Sequence, residues 1–233
     1  MLKKFNWGWM ETAKYEFCRG TENEILFRRD YETVFKVEEN DIVVDIGSSA
    51  GLFAYSILKY NPCKVFCVEP QRDVFELLVE NVGSNSAVTC FNCGIGPNNE
   101  DRAITDYETC LAKKYKFSGA NEICNYITFK TFIEICNINK IDFLKVDCEG
   151  GEYDIFTVEN IDWIKKNVRK IAAEIHLNTD EERKKFLVYR ENFLKHFTNY
   201  QVYSFGLDNI NSEVFKEHFI YTFQYVYVFI DNR

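Results

Sequence analysis

The stretch VVDIGSSAGLF, Val43 to Phe53, decides the fold of this 233-residue chain. Apolar residues surround Asp45 and lead into a turn that contains two glycines, Gly47 and Gly51. An apolar run of this kind is typical of a strand that is buried on both faces. The glycines allow a tight connection into a following helix. The pattern raises the question whether the turn only joins two elements or also binds a small molecule.

Strands and helices alternate on both sides of this stretch. The expected strands are residues 41–46, 64–70, 87–95, 141–147, 169–176, 201–206 and 223–230, and the expected helices are residues 51–60, 72–82, 129–136, 152–156, 161–167 and 180–197. Five strands separated by helices give right-handed crossovers and a parallel sheet, and the last two strands favour an antiparallel pair at one edge. The sequence therefore predicts an α/β fold with a doubly wound, mostly parallel seven-stranded sheet and an antiparallel last strand.

The composition predicts one folded domain with an N-terminal appendage. The chain is 46% hydrophobic and 16% aromatic, which is enough for a substantial core. Residues 1–40 are expected to form an extension, a helix with a short strand or hairpin, packed on a core domain of residues 41–233. Residues 96–124 show no clear periodicity.

The charge balance and the cysteines limit the partners and the compartment. The formal net charge is -8, so nucleic acid is not an expected partner. Lysines 113, 114 and 116 and residues 183–185 form basic runs, which are expected to be solvated faces. No apolar run reaches the roughly 18 residues of a membrane span, and the N-terminus lacks a signal peptide's apolar core. We expect a cytoplasmic protein whose nine cysteines are mostly small buried side chains, including the C-x-x-C pair Cys90 and Cys93.

Acidic residues lie at the carboxyl ends of four of the five parallel strands. Ligands bind at this edge of an open parallel sheet, where the strand order reverses. A sequence selected only for folding would rarely place acids at four such ends, so we expect a binding cleft there. The polar residues at these ends are Asp45, Glu69, Asp147 with Glu149, and Glu174 with His176.

The first two strand ends fit a nucleoside ligand. Gly47 and Gly51 remove side chains where backbone approaches a ligand, and Glu69 follows Asp45 at the spacing of an acid that binds ribose hydroxyls. A dinucleotide site needs G-x-G-x-x-G, whereas the chain has D-x-G-x-x-x-G. A carboxylate before the first glycine disfavours a pyrophosphate and favours a cationic ligand. S-adenosylmethionine carries an ammonium and a sulfonium, so the charge of Asp45 favours this methyl donor over NAD.

Five segments together resemble the FkbM family of S-adenosylmethionine-dependent methyltransferases. They are VVDIGSSAGLF, VFCVEP, FNCGIG, IDFLKVDCEGGEYDIF and IAAEIH, between about Val34 and His176. The most specific is LKVDCEGGE (144–152), since the family typically shows K-x-D-x-E-G-x-E after its fourth strand. The resemblance implies the class I methyltransferase sheet and the methylation of hydroxyls on natural products, sugars or glycans. The chain departs at SSAG, where relatives often have A-N-x-G, and Ser49 in place of the Asn is expected to alter a hydrogen bond near the methionine moiety.

The predicted activity is transfer of a methyl group from S-adenosylmethionine to a hydroxyl of a small molecule or carbohydrate, with S-adenosylhomocysteine as product. His176 is the first choice as general base because an imidazole titrates near neutrality. The catalytic candidates are Asp147, Glu149, Glu174 and His176. The residues expected to bind the cofactor are Asp45, Gly47, Ser48, Gly51, Phe53, Glu69, Pro70, Asn92, Cys93, Gly94 and Asp147, with residues 92–95 flanking the adenine or ribose.

Several alternatives stay open from the sequence. The four catalytic candidates have the donor types for a divalent cation, although no resident metal is predicted. The aromatic residues in 5–9 and 200–229 are suited to a substrate pocket, but core packing is the favoured interpretation, and they also allow a homodimer. The main alternative function is a non-catalytic binding or scaffold module, which would be expected to lose the strand-end acids. A nucleic-acid methyltransferase is disfavoured by the acidic charge and by the lack of an N-P-P-Y or D-P-P-Y signature.

Overall fold

The computed structural model describes residues 4–13, 15–103 and 123–233. Its strands are β1 Ile42–Ile46, β2 Lys64–Val68, β3 Val88–Phe91, β4 Gly94–Ile95, β5 Glu100–Ala103, β6 Ile123–Ile127, β7 Ile141–Val146, β8 Val168–His176, β9 Tyr200–Tyr203 and β10 Tyr225–Asp231. Its α-helices are α1 Met10–Ala13, α2 Tyr15–Glu22, α3 Leu52–Ile57, α4 Arg72–Val82, α5 Phe129–Ile135, α6 Glu152–Ile155, α7 Ile161–Asn167, α8 Asp180–Asn192 and α9 Phe219–Thr222. A π-helix covers Asn23–Arg28, and short 3-10 helices cover Asp30–Glu32, Leu58–Tyr60, Leu194–His196 and Asn211–Glu213.

Seven strands form the central sheet in the order β3-β2-β1-β7-β8-β10-β9. β1 pairs in parallel with β2 on one side and with β7 on the other, so the direction of the strand order reverses beside β1. β10 runs antiparallel between β8 and β9, which leaves β9 at the edge. The predicted seven-stranded, doubly wound sheet with an antiparallel last strand is confirmed. A sheet with this order opens a crevice at the carboxyl ends of β1 and β7.

The central strands are apolar because side chains on both of their faces are buried. Along β1, Val43 packs in one buried cluster with Phe53 and Phe143, while Val44 and Ile46 pack in a second cluster on the opposite face. Successive residues of a strand point to opposite faces, so the continuous apolar run contributes to both layers. Asp45 is therefore the exception in β1, and its surroundings bear on the site.

The predicted third strand, residues 87–95, is two strands. β3 belongs to the main sheet, whereas β4 pairs with β6 in a separate three-stranded sheet of order β4-β6-β5. The Asn92 side chain donates hydrogen bonds to the carbonyl oxygens of Glu69 and Pro70, at 3.0 and 2.9 Å, at the point where pairing with β2 ends. β5 and the first residues of β6 lie in the stretch that showed no periodicity, and residues 104–122 of that stretch, with their basic run, lie outside the described residues.

The N-terminal segment is helical, and the short strand or hairpin expected there is absent from described residues 4–13 and 15–40. Trp7, Met10 and Cys18 form a buried cluster with Leu52 and Leu77 from α3 and α4. This apolar contact holds the segment against the sheet's helical layer, so no strand pairing is needed to fix it. The domain boundary at residue 40 stays a prediction.

Candidate functional site

A cleft of about 660 Å³ lies at the carboxyl edge of β1, β2, β7 and β8. One end, which we call the turn end, consists of residues 47–50 after β1 and residues 69–71 after β2. The other, the carboxylate end, consists of Asp147, Glu149, Glu174 and His176 after β7 and at the end of β8. The predicted meeting of these strand ends in one cleft is what the structure shows.

Close packing fixes the turn after β1. Gly47 has φ +75°, and a Cβ atom there would lie 1.6 Å from the carbonyl oxygen of Asp147. The N–H groups of Gly47 and Ser48 both donate to the carbonyl of Val68, each at 3.0 Å. The Ser48 hydroxyl donates to the Asp45 carbonyl at 2.7 Å and accepts from the Val68 N–H at 3.0 Å. The turn is thus bonded to β2 and packed against the start of the carboxylate end.

Gly51 has a different role from the one expected. Its φ is +90°, and a Cβ atom there would lie 2.8 Å from Cδ1 of Leu78 on α4. Gly51 does not line the cleft. The missing side chain therefore allows α3 to pack closely on α4, and it is not a point where backbone approaches a ligand.

Glu69 presents a carboxylate to the cleft at the end of β2. Its Oε2 accepts a hydrogen bond from the Ser49 N–H at 3.1 Å, and its Oε1 accepts one from the Gln71 N–H at 2.9 Å. Burial raises the pKa of Glu69 to about 7, and these two N–H donors oppose that rise. A carboxylate has about four acceptor positions, so two main-chain bonds leave capacity for further donors.

Asp45 does not line the cleft, which corrects its predicted place in direct contact with a cofactor. The side chain is 0% exposed, and the Nζ atom of Lys145 lies 3.2 Å from its Oδ1. The lysine offsets the negative charge of Asp45, so that charge does not by itself select a cationic ligand. Sequence reasoning reached S-adenosylmethionine from Asp45 without taking this partner into account.

Lys145 connects the two ends of the cleft. Besides its ion pair with Asp45, its Nζ donates to the carbonyl of Gly47 at 2.8 Å and lies 3.6 Å from Oδ2 of Asp147. Burial alone would lower the pKa of Lys145, but the carboxylates of Asp45 and Asp147 outweigh burial and raise it. A charged ammonium therefore lies directly beneath the junction of the turn end and the carboxylate end.

Asp147 and Glu174 share a hydrogen-bond donor. The buried Tyr31 hydroxyl lies 2.7 Å from Oδ2 of Asp147 and 3.0 Å from Oε2 of Glu174. Neighbouring strands β7 and β8 were expected to bring these two acids together, and the shared tyrosine contact shows that they do. Burial, followed by the nearby charge of Asp147, raises the pKa of Glu174 well above its usual range.

His176 is 3% exposed and is surrounded by carboxylates. Its Nδ1 lies 3.1 Å from Oε1 of Glu152, and its Nε2 lies 3.4 Å from both Oε2 of Glu149 and Oε1 of Glu174. Burial alone would lower the pKa of His176, but Glu149, Glu152 and Glu174 outweigh burial and raise it well above the usual value. Burial also raises the pKa of Glu149 to about 7, and His176 opposes that rise.

The surroundings of His176 bear on its predicted role as general base. Both ring nitrogens face carboxylate oxygens, which favour the charged ring. A ring with a proton on each nitrogen must release one before it can accept another, so Glu149 and Glu174 are further candidates for the base. The assignment of the base stays a prediction.

The other predicted cofactor residues divide into two groups. Phe53, Pro70 and Gly94 line the cleft. Asn92 and Cys93 do not: the Asn92 amide holds the backbone after β2, and the Cys93 side chain is buried in the main apolar core. Asn92 therefore acts on the position of Glu69 through the main chain.

Three residues that contact the predicted acids or His176 were not themselves predicted as site residues: Lys145, Glu152 and Tyr31. Lys145 and Glu152 are the first and last charged residues of the segment LKVDCEGGE, so the motif itself was the signal that could have identified them. Glu152 is fully buried and also accepts the main-chain N–H of His176 at 2.6 Å and that of Gly150 at 2.8 Å. Tyr31 lies in a stretch without a motif, and only the tertiary structure brings it to the cleft.

The helical N-terminal segment forms one wall of the cleft. Residues that face the cavity from this segment are Trp7, Glu16, Phe17, Gly20, Thr21, Glu24, Ile25 and Tyr31. Burial, followed by the charge of Asp147, raises the pKa of Glu24 to about 7. The wall adds acidic and aromatic side chains beside the carboxylate end.

Comparison with models of known protein families identifies the family of this chain. The model of the methyltransferase FkbM domain matches residues 41–205, which is most of the chain. The protein belongs to the FkbM methyltransferase family, as its sequence segments predicted. No curated protein sequence matches it.

The chain is also similar, at low sequence identity, to a range of solved structures. Fibrillarin of Aeropyrum pernix, crystallised with natively bound S-adenosyl-L-methionine, is 13% identical, with 86% of this chain and 70% of that chain covered and a TM-score of 0.47. An rRNA methylase of Streptococcus thermophilus is 13% identical, with 84% and 88% covered and a TM-score of 0.45. Spermidine synthase of Thermotoga maritima is 14% identical, with 83% and 55% covered and a TM-score of 0.46.

Within the described part of the chain, no helix combines the length and apolar character that crossing a bilayer requires.

Proposed function

We propose that this protein transfers the methyl group of S-adenosylmethionine to a hydroxyl group of a sugar, glycan or small natural product. The observation that carries the proposal is the junction of two sites in one cleft of an FkbM-family chain. A strand-end carboxylate with main-chain donors, Glu69, lies at one end, and a cluster of buried carboxylates lies at the other. Transfer of a methyl group from a nucleoside-bearing donor to a deprotonated oxygen needs both a nucleoside site and a group that can remove the proton.

The turn end fits the nucleoside part of the donor. Glu69 keeps acceptor capacity for the two ribose hydroxyls, and the main-chain bonds from Ser49 and Gln71 hold its carboxylate in place. Phe53, Pro70 and Gly94 supply apolar and backbone surface beside it. When bound, S-adenosylmethionine supplies an electrophilic methyl group on a sulfonium. Asp45 pairs with Lys145, and Lys145 in turn donates a hydrogen bond to the Gly47 carbonyl of the turn end.

The carboxylate end fits the acceptor. A hydroxyl nucleophile needs a base within hydrogen-bond reach, and Glu149 and Glu174 both face the cavity. Tyr31 and Lys145 hold Asp147, and Glu152 holds His176, so the group does not depend on flexible surface side chains. Positioning of this kind lowers the entropic barrier to a bimolecular transfer.

The acidity of the acceptor wall supports a neutral hydroxyl compound over an anionic acceptor. Glu24 and Glu16 face the cavity together with the three carboxylates of the carboxylate end. A phosphate or a nucleic-acid backbone would face carboxyl groups there, which repel an anion wherever they are ionised, and this disfavours such acceptors. A cytoplasmic location and a homodimer stay predictions.

Calorimetric titration with S-adenosylhomocysteine tests the cofactor half of this proposal. We expect micromolar binding to the wild type and a loss of roughly 30- to 100-fold in Glu69→Ala, because two charge-assisted hydrogen bonds to the ribose disappear. Titration with NADH is expected to show no binding. Failure of the wild type to bind S-adenosylhomocysteine would overturn the assignment and favour the scaffold alternative.

Product analysis tests the acceptor half. The protein is incubated with S-adenosylmethionine and a panel of neutral sugars, phosphorylated sugars and amino sugars, and methylated products are located by mass spectrometry and NMR. We expect methyl groups on oxygen and preference for uncharged acceptors. Methylation confined to nitrogen, or a preference for phosphorylated acceptors, would contradict the proposal. Cofactor binding with no turnover on any acceptor class would favour a binding module.

A further inference from the structure

The carboxylate end holds a mixed set of ligand atoms close together. One carboxylate oxygen each from Asp147 and Glu149 and one ring nitrogen of His176 all lie within 4.8 Å of one another. Ligand atoms around a hard divalent cation at roughly 2.1 Å lie up to about 4.2 Å apart. Small side-chain rotations would therefore close these three groups around one ion.

His176 provides an observation that is independent of the acids. The ring is nearly fully buried, and Glu152, which is not among the three ligand groups, holds Nδ1 from behind at 3.1 Å. Nε2 is thereby aimed into the group, where the nearest oxygens, from Glu149 and Glu174, are each 3.4 Å away. Within the described ranges, Nε2 has no hydrogen bond of ordinary length, which is 2.7–3.2 Å for a nitrogen donor. A carboxylate behind one nitrogen and an aimed second nitrogen is the arrangement that orients metal-binding histidines.

The balance of charge also favours a cation. Asp147, Glu149 and Glu174 face the same part of the cleft, and Glu24 faces it from the N-terminal wall. The nearby ammonium of Lys145 is shared with the buried Asp45. Carboxylates held together in a partly desolvated cleft repel one another unless a positive charge lies between them. A divalent cation that replaces the Nε2 proton of His176 adds one net positive charge among them.

We propose that Asp147, Glu149 and His176 bind one divalent cation of the Mn²⁺ type. The ion takes the place of the proton on Nε2 of His176, which is released to solvent, while Nδ1 keeps its contact with Glu152. A set of two carboxylates and one imidazole suits Mn²⁺. Ca²⁺ prefers sites in which all ligands are oxygens, and structural Zn²⁺ prefers sites rich in thiolates. The side chains of Asp147 and Glu149 are 29% and 20% exposed, so the ion is reachable from the cavity and can keep waters. The inference rests on the proposed function for its purpose: the ion would bind the acceptor hydroxyl and make its proton easier to remove. Glu149 would then be a ligand, and Glu174 would accept the proton.

The test is calorimetric titration of the full-length protein with MnCl₂, with the electron paramagnetic resonance signal of free Mn²⁺ as a second readout. We expect one ion per chain with a dissociation constant below about 100 µM. Glu149→Gln keeps the size of the side chain and removes the charge, and we expect it to weaken binding at least tenfold. Glu152→Gln, which alters the support of His176 and no ligand, is expected to weaken binding less. Glu134→Gln is the matched control, because Glu134 lies on α5, is exposed and pairs with Lys130.

Titration of each variant with S-adenosylhomocysteine accompanies these measurements. If the wild type takes up no stoichiometric Mn²⁺ while S-adenosylhomocysteine still binds, the metal site is wrong and the proposed function stands. Equal Mn²⁺ affinity in Glu149→Gln and Glu134→Gln would also overturn the site. If Mn²⁺ binds as expected but S-adenosylhomocysteine does not, the metal site stands and the proposed function falls. His176→Gln, expected to weaken Mn²⁺ at least tenfold, keeps the test valid if Glu149→Gln does not fold.

Discussion

The two ends of the cleft are built in different ways. The turn end is held by main-chain hydrogen bonds between segments close in sequence, since the turn after β1 is bonded to Val68 and Ser49 is bonded to Glu69. The carboxylate end is held by side chains from segments far apart, with Tyr31 bonded to Asp147 and Glu174. Short-range backbone geometry thus defines one end, and long-range charge pairing defines the other.

The two ends are therefore sensitive to different substitutions. Main-chain bonds survive most side-chain replacements, so the turn end depends on a few positions such as Gly47 and Glu69. Buried charges depend on their partners, because removal of one partner leaves the other uncompensated. The two ends meet at Lys145, which bonds to the Gly47 carbonyl and approaches both Asp45 and Asp147.

Lys145→Met is expected to have the largest effect, because it breaks both ends at their shared point. Asp45 would be left fully buried without its counter-ion, and loss of one member of a buried pair costs about 3–5 kcal/mol. Urea denaturation at pH 7 measures the free energy of unfolding. A loss below about 1 kcal/mol would mean that the two ends do not depend on this lysine.

The double variant Asp45→Asn with Lys145→Met supplies the control. It removes both charges, so most of the lost stability is expected to return. A double variant that is as unstable as Lys145→Met would attribute the loss to packing of the lysine stem, and the charge interpretation would then be wrong.

The same difference explains what the sequence could predict. The sheet, its order of helices and the turn-end residues Gly47, Ser48 and Glu69 follow from apolar runs, glycines and spacing, which are local signals. The split of residues 87–95 into β3 and β4 was missed because one polar side chain, Asn92, redirects the strand. Periodicity contains no record of such a contact.

At the carboxylate end, the sequence predicts which residues meet but not which chemical role each of them has. Asp147, Glu149, Glu174 and His176 were found because strand ends are visible in the sequence. The charge environment of His176 depends on Glu152 behind its ring and on two carboxylates in front, and only the tertiary structure shows these contacts. Tyr31 lies 116 residues from Asp147 in the chain, and no local pattern connects them.

At the turn end, the titration of Glu69 makes the stability of the protein depend on pH. Burial raises the pKa of Glu69 from its usual value of 4.5 to about 7. Between these two pH values the folded protein therefore keeps a proton that the unfolded chain has lost. Stability from this group is therefore present below about pH 4.5 and is lost as the pH rises to about 7. Glu69→Gln mimics the protonated form, so its stability relative to wild type is expected to rise by about 2–3 kcal/mol between pH 4.5 and pH 8.

Chemical denaturation of both proteins across that pH range measures this difference. The other carboxylates with raised pKa values, Glu24 and Glu149, are common to both proteins and cancel. A difference that stays constant with pH would show that the main-chain donors from Ser49 and Gln71 keep Glu69 ionised, and the turn end would then be a preformed anionic site.

Tyr31→Phe is expected to have the smallest effect and tests whether the carboxylate end can be changed alone. Loss of the hydroxyl shared by Asp147 and Glu174 is expected to cost about 1 kcal/mol of stability. Tyr227→Phe is the matched control, because its hydroxyl donates to Oδ2 of Asp30 at 3.0 Å and, within the described residues, is not hydrogen-bonded to Asp147 or Glu174. We expect S-adenosylhomocysteine affinity within twofold of wild type in both variants, and weaker Mn²⁺ binding only in Tyr31→Phe. If Tyr31→Phe instead lowered S-adenosylhomocysteine affinity more than fivefold, the two ends would be coupled in binding through Asp147 and Lys145. The ends would then differ in the bonds that hold them but would not bind their ligands independently.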